Sequence, residues 1–165
     1  MEISVADIPA ETRWKIATQA MSGIMTAYKK ALHDVAGPEQ FNKILEQIWG
    51  QAGQSGKQIA DALGMKSDDA KSVAETWAIV SAIALGPELK MEIVEVSKER
   101  TILKGTGCPF LNRVKEYGIT EDLLTSGDAV YCEALTNSLN PNVKITHEKR
   151  MHLGDSYCEW IFETK

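Results

Sequence analysis

The sequence has no Cys-x-x-Cys pair, no basic run longer than two residues and no apolar stretch approaching a membrane span. Each absence removes a class of function. Without paired cysteines there is no zinc-ribbon spacing. With a net charge of -5 and a pI near 5.3, the chain lacks the basic footprint of a general nucleic-acid binder. Its longest basic runs are the pairs Lys29-Lys30 and Lys149-Arg150. The longest apolar stretch, Trp77 to Leu85, is interrupted by Ser81 and falls short of the roughly 18 residues a span needs. The opening Met1-Glu2-Ile3-Ser4 has no positive n-region and no apolar h-region, so no signal peptide is expected and the expected compartment is the cytoplasm. Gly50, Gly53 and Gly56 lack the strand-then-helix context and the lysine–serine ending of a phosphate-binding loop. Cysteine is scarce and odd in number, three in all. In a cytoplasmic chain that speaks against a disulfide framework, and for thiols that are buried, catalytic or metal-bound.

The 165 residues, 44% hydrophobic and 25% charged, fit a single domain over 1–165 with a good-sized core. Residues 1–87 read as its helical portion, after an irregular arm. From Glu11 to Val35 the apolar residues Trp14, Ala17, Met21, Ile24, Met25, Tyr28, Ala31, Leu32 and Val35 recur at three and four, one face of an amphipathic helix. Gly37-Pro38 is expected to end it. A second helix from Glu39 carries Phe41, Ile44, Leu45, Ile48 and Trp49. Its three glycines predict a break, because each costs about 1 kcal/mol against alanine. A short helix then runs through Ile59 to Leu63, with Gly64 as its C-cap. Ser67 is the expected N-cap of the next helix. Val73, Trp77, Val80 and Ala84 line its core face, which Ile79 and Ile83 widen, and Gly86-Pro87 stops it. The Met and Trp stripes of these helices read as core or dimer contacts. His33 reads as a favourable charge at a helix C-terminus.

Residues 88–165 change pattern and hold every cysteine. Leu89 to Val96 and Thr101 to Leu103 predict a β-hairpin turning at Lys98-Glu99. Its glutamates Glu92, Glu95 and Glu99 are expected to face solvent. A glycine-rich loop, Gly105 to Pro109, is expected to end the second strand. A short helix from Phe110 closes at Gly118. Thr120 is the expected cap of another running to Leu139, with Glu121 and Asp122 in its first turn, and Asn140-Pro141 breaks it. Val143 to Met151 and Tyr157 to Glu163 predict a second hairpin turning at Gly154-Asp155. The expected fold is α+β: N-terminal helices, then a β-hairpin, two helices and a second hairpin forming a four-stranded antiparallel sheet.

Cys108 follows a strand, Cys132 lies on a helix with Leu135 and Leu139, and Cys158 opens the last strand on one face with Trp160 and Phe162. Three cysteines bordering one small sheet, with one histidine, make a tetrahedral Cys₃His metal set. His147 is the first candidate for the fourth ligand and His152 the second. His147 lies about 13 Å along the strand from the turn, so a bulge or a looser turn is needed to bring it in. The competing reading is three buried cysteines behaving as small hydrophobes, or a reactive thiol.

Cys108-Pro109, Cys132 in a helix, Asn140-Pro141 before a strand, and Gly154-Asp155-x-x-Cys158-x-Trp160-x-Phe162 together resemble the L-2-amino-thiazoline-4-carboxylic acid hydrolase family. The same ending resembles the 4-vinyl reductase domain, a small-molecule-binding α+β module. The resemblance covers roughly residues 89 to 165. It implies a zinc ion held by cysteines and one acidic residue beside a ligand pocket, as in some bacterial sensors of aromatic compounds. His147 stands in the place of that acidic ligand. No catalytic base is carried over.

The leading expectation is a metal- and small-molecule-binding protein with a sensory or accessory role. Its metal site is Cys108, Cys132, His147 and Cys158, beside an apolar pocket lined by Trp77, Trp160 and Phe162. Its ligand is a small apolar or heterocyclic molecule, and it is expected to dimerise through its N-terminal helices. One alternative is a metal-dependent hydrolase of a small cyclic C–N substrate, which needs an open coordination position. Another is a ligand-binding domain with free thiols, or with an iron–sulfur cluster in place of zinc.

Overall fold

The computed structural model of the chain describes residues 5–165. Met1 to Ser4 lie outside the described residues, as do the side chains of Glu121, Asp122, Thr125 and Ser126. The backbone of Glu121 and Asp122 precedes the helix Thr125–Leu139 in a 3-10 turn rather than forming its first turn.

Helix α1 runs over Ala10–Ala62. Gly37 divides this span into two helices that meet at a kink, as the expected stop at Gly37-Pro38 implied. Its φ of 76° and ψ of 165° are not helical, and that positive φ is one glycine adopts without steric cost. The helix then continues through Gly50, Gly53 and Gly56, where a break was expected. Packing explains this. A Cβ on Gly53 would stand 2.8 Å from both Ala134 Cβ and Leu135 N of the facing helix. The missing side chain lets two backbones touch, and that contact outweighs the propensity cost.

The buried stripe of the first half of α1 is polar: Thr18, Ser22, Thr26 and Lys29. The hydroxyls bond back to their own helix. Thr18 Oγ1 donates to Trp14 O at 2.8 Å, Ser22 Oγ to Gln19 O at 3.0 Å and Thr26 Oγ1 to Ser22 O at 2.8 Å. Buried hydroxyls satisfied in this way carry little desolvation cost. Of the apolar face, Met25 and Leu32 are partly buried against the core, whereas Trp14, Met21, Ile24, Tyr28 and Val35 are exposed, from 36% at Trp14 to 89% at Val35. Periodicity located the faces of α1; of the two roles expected for the apolar one, core or dimer contact, the single chain uses Met25 and Leu32 for the first. His33 stands edge-on to Phe41 at 5.1 Å.

Helix α2, Ala70–Leu85, is capped by Asp69 rather than Ser67. Asp69 Oδ1 accepts from Ser72 N at 2.8 Å, and Ser72 Oγ accepts from Asp69 N at 3.0 Å. This reciprocal pair satisfies two orphan donors, which a lone serine cannot. Val73, Trp77 and Val80 are buried, whereas Ile79 and Ile83 are exposed and do not widen the core face.

Strands β1 (Lys90–Val96), β2 (Arg100–Gly107), β3 (Val143–Lys149) and β4 (Cys158–Thr164) form one antiparallel sheet in the order β1-β2-β4-β3. The fold is α+β, as expected. Strand β2 continues through Gly105 instead of giving way to a loop there, and the reason is again space. A Cβ on Gly105 would meet the Trp160 ring at 2.6 Å. Glu92 and Glu95 of β1 are exposed and pair with Lys104 and Arg100 of β2.

Helix α3 covers Pro109–Glu116 and α4 covers Thr125–Leu139. A 3-10 turn, Glu121–Leu124, precedes α4, whose N-cap is Leu124, so Thr120 does not cap it. The core lies between the sheet and helices α2 and α4, with Val73, Leu103, Leu135, Val143 and Phe162 at or below 1% exposure. Burial of each such side chain contributes about 1.5–3 kcal/mol. Among the described residues no helix is long and apolar enough to cross a membrane.

Candidate functional site

A cavity of about 100 Å³ lies where α1, α2, α4 and the sheet converge. Its walls are mostly aromatic and aliphatic. Trp77 and Trp160 meet at a ring separation of 5.4 Å, and Trp49 stands edge-on to Tyr131 at 5.8 Å. Phe162 lies behind this wall, against Trp77 at 5.8 Å. Cys108, Cys132, Cys158 and His152 all reach the cavity surface.

The polar groups concentrate on two sides. On one, Lys29 Nζ sits 4.9 Å from the Trp49 ring centroid and 5.0 Å from that of Phe110. Among the described residues no carboxylate lies within ion-pair distance of it. Burial pulls its ammonium down to about 8, against partial support from the more distant charge of Asp128. Ser81 Oγ and Tyr131 OH share a hydrogen bond of 3.4 Å, and burial pushes the Tyr131 phenol up to about 12. The indole N–H of Trp77 is buried without an acceptor among the described residues, and that of Trp160 is buried with only the Cys132 thiol near it.

On the other side, one ligand atom from each of Asp128, Cys132 and His147 lies within 4.8 Å of the other two. Asp128 and Cys132 are four residues apart on α4 and therefore share a helix face. His147 comes from β3, where it pairs with Trp160 and stacks on that ring at 5.0 Å. Its register is set by a looser connection than a tight hairpin. A bulge follows His147, and a 3-10 turn, Met151–Leu153, precedes Gly154. His147 Nδ1 lies 3.1 Å from Asp128 Oδ2, with its side chain only 4% exposed. Neither ring nitrogen has a well-aligned hydrogen bond among the described residues. Burial raises the Asp128 carboxyl, but the approach of His147 and the charges of His152 and Arg150 outweigh it and hold it below its ordinary value. A carboxylate, a thiol and an imidazole brought this close fit a small divalent metal ion.

Burial raises all three thiols. Cys132 is held well above its ordinary value, with the Asp128 charge adding to burial. Cys158 is pushed up to about 11, although Met151 N donates to its Sγ at 3.3 Å. Cys108, at the start of α3, is raised by burial against the backbone N–H groups of Leu111 and Phe110. None is therefore a nucleophilic thiolate at neutral pH without a metal to displace its proton.

The structure brings the expected Cys132 and His147 together, and lines the same cavity with Cys108 and Cys158. Two residues escaped the sequence reading. Asp128 had a usable signal in its i, i+4 spacing to Cys132. Lys29 was hidden by its neighbour Lys30, although it stands three residues after Thr26 on the buried stripe of α1.

The model of the L-2-amino-thiazoline-4-carboxylic acid hydrolase family matches residues 15–162. The chain belongs to that family. The match extends the family well beyond the cysteine-bearing half, into α1 and α2. A comparison with curated proteins finds no match. Two solved structures share the fold. One is the phenol-responsive sensory domain of the transcription activator PoxR, solved with phenol. It is 12% identical, with a TM-score of 0.59 over 87% of this chain and 74% of that one. The other is trafficking protein particle complex subunit 3 from Naegleria fowleri, covalently bound to palmitic acid. It is 15% identical, with a TM-score of 0.63 over 89% of this chain and 96% of that one.

Proposed function

We propose that this member of the family binds a small ring-containing molecule in the cavity, beside a metal ion held by Asp128, Cys132 and His147. Cys158 and Cys108 are the further thiols available to that metal. The observation that carries the reading is the cavity itself. Its volume of about 100 Å³ is of the order of the roughly 150 Å³ engineered cavity that binds benzene. Lys29 and the indole N–H of Trp77 supply donors. An oxygen-bearing end of the ligand, such as a carbonyl or carboxylate, would satisfy them. The two proteins of the same fold described with phenol and with palmitic acid support a small-ligand role.

The mixed oxygen, sulfur and nitrogen donors favour zinc. An iron–sulfur cluster prefers a full thiolate set, so it is the weaker alternative. Three free thiols suit a reducing, cytoplasmic setting.

Whether the role is sensory or hydrolytic turns on the number of protein ligands. If Cys158 joins the triad, the site is closed and the metal structural or sensory. If only three side chains bind, a position stays open, and family membership makes a metal-dependent hydrolase of a small cyclic C–N compound the second reading.

Titration with phenol and with benzoate, followed by tryptophan fluorescence, tests the binding reading. Saturable quenching is expected in the wild type and should be lost in Ser81→Met, which fills the wall between α2 and α4. No saturable response to either probe in folded wild-type protein would remove the reading.

A further inference from the structure

We propose that the exposed face of α1 is the seam of an antiparallel pairing with a second copy of this chain. Trp14, Met21, Tyr28 and Val35 stand seven residues apart, and Ala17, Ile24 and Ala31 each follow one of them by three. All seven are exposed. This is an a/d heptad pattern, the signature of a helix that packs along another helix. It spans about 33 Å at 1.5 Å per residue, all before the Gly37 kink. Ile79 and Ile83 of α2 extend the apolar surface beside Trp14, whose Nε1 donates to Ile83 O at 3.0 Å.

The side chains choose the direction. In a parallel pair the large residues would meet each other, Trp14 on Trp14 and Tyr28 on Tyr28, while Ala17 met Ala17. In an antiparallel pair each large residue meets a smaller one: Trp14 the partner's Ala31, Met21 the partner's Ile24, and Tyr28 the partner's Ala17. Layers of alternating size interdigitate, whereas layers of equal size leave gaps and clashes.

Charge agrees with this register. The flank carrying Thr18 and Met25 is closed by the chain's own packing. The open flank carries Arg13, Ala20, Ala27 and Asp34, all exposed. Antiparallel pairing sets Arg13 opposite the partner's Asp34 and Ala20 opposite the partner's Ala27, and two-fold symmetry repeats each contact. Asp34 already accepts from Lys30 at 2.6 Å within α1. Its other oxygen, Oδ1, lies 3.8 Å from His33 Nδ1; both are surface contacts, weak enough to yield to an arginine of the partner. This inference does not depend on what the cavity binds.

Sedimentation equilibrium of the full chain over a concentration series, with circular dichroism as a folding control, tests it. The expected result is a dimer that Ile24→Glu converts to a folded monomer. Arg13→Asp and Asp34→Arg should each weaken association by up to about tenfold, because each reverses two symmetry-related pairs. The combination Arg13→Asp with Asp34→Arg should restore most of the affinity. A wild-type monomer at about 100 μM, well above the range of a stable interface, would overturn the proposal. So would a dimer indifferent to Ile24→Glu, or a double reversal no better than the single ones.

Discussion

His147 Nδ1 and Asp128 Oδ2 stand 3.1 Å apart, one on β3 and the other on α4, with the Cys132 side chain close to both. The contact joins the sheet to the helix that covers it. Asp128→Asn preserves the shape of the side chain and removes its charge. It is expected to lower the affinity for added zinc by at least about tenfold, as loss of a supporting carboxylate commonly does. Competition with a chromophoric chelator measures this. Unchanged affinity would place Asp128 outside the site.

Lys29 is expected to destabilise the fold. Its native-state value of about 8 lies below the 10.5 of the unfolded chain, so between those values the unfolded state binds the extra proton. The cost of burying the charge is fully present below about pH 8 and is relieved as pH rises toward 10.5. The difference corresponds to roughly 3–4 kcal/mol. Lys29→Met should therefore be the more stable protein at pH 7 by about that amount, and the gap should narrow at pH 10. Urea unfolding of both proteins at the two pH values provides the check. A less stable Lys29→Met at pH 7 would mean that the stacking on Trp49 and Phe110 outweighs the desolvation.

Two glycines of one helix are expected to respond in opposite directions. On propensity alone, alanine in a helix interior stabilises by about 1 kcal/mol over glycine. At Gly50 a new Cβ would meet only Val130 Cγ1, at an ordinary 3.5 Å, so Gly50→Ala should gain up to about that amount. At Gly53 the new atom would lie 2.8 Å from backbone atoms of α4. Gly53→Ala should lose about 1–3 kcal/mol through overpacking. Thermal unfolding distinguishes them, and equal shifts would contradict the close α1–α4 approach.

That glycine pair also shows where the sequence stops being legible. The α+β class, both hairpins and the shared face of Cys158, Trp160 and Phe162 follow from local periodicity, and all are present. Gly53 could not be read this way, because its role is set by a helix some eighty residues later. The same holds for α1. Its hydroxyl-bearing stripe looks like a solvent face until α3 and the loop at Gly86 pack on it. Cys132 and His147 were legible as site candidates because thiols and imidazoles are few. Asp128 was legible only through its i, i+4 spacing to Cys132, a weak signal because acids are plentiful, and Lys29 not at all, since only tertiary burial singles it out.

The most direct test of a metal centre at the end of the cavity is elemental analysis of protein purified without oxygen, comparing wild type with Cys132→Ser and Cys158→Ser. The account predicts about one zinc per chain in the wild type, as for a tetrahedral protein site, and its loss in Cys132→Ser. Loss in Cys158→Ser as well would indicate a closed, four-ligand site, and retention an open one. Folded wild-type protein with three titratable thiols and no bound metal would contradict the account.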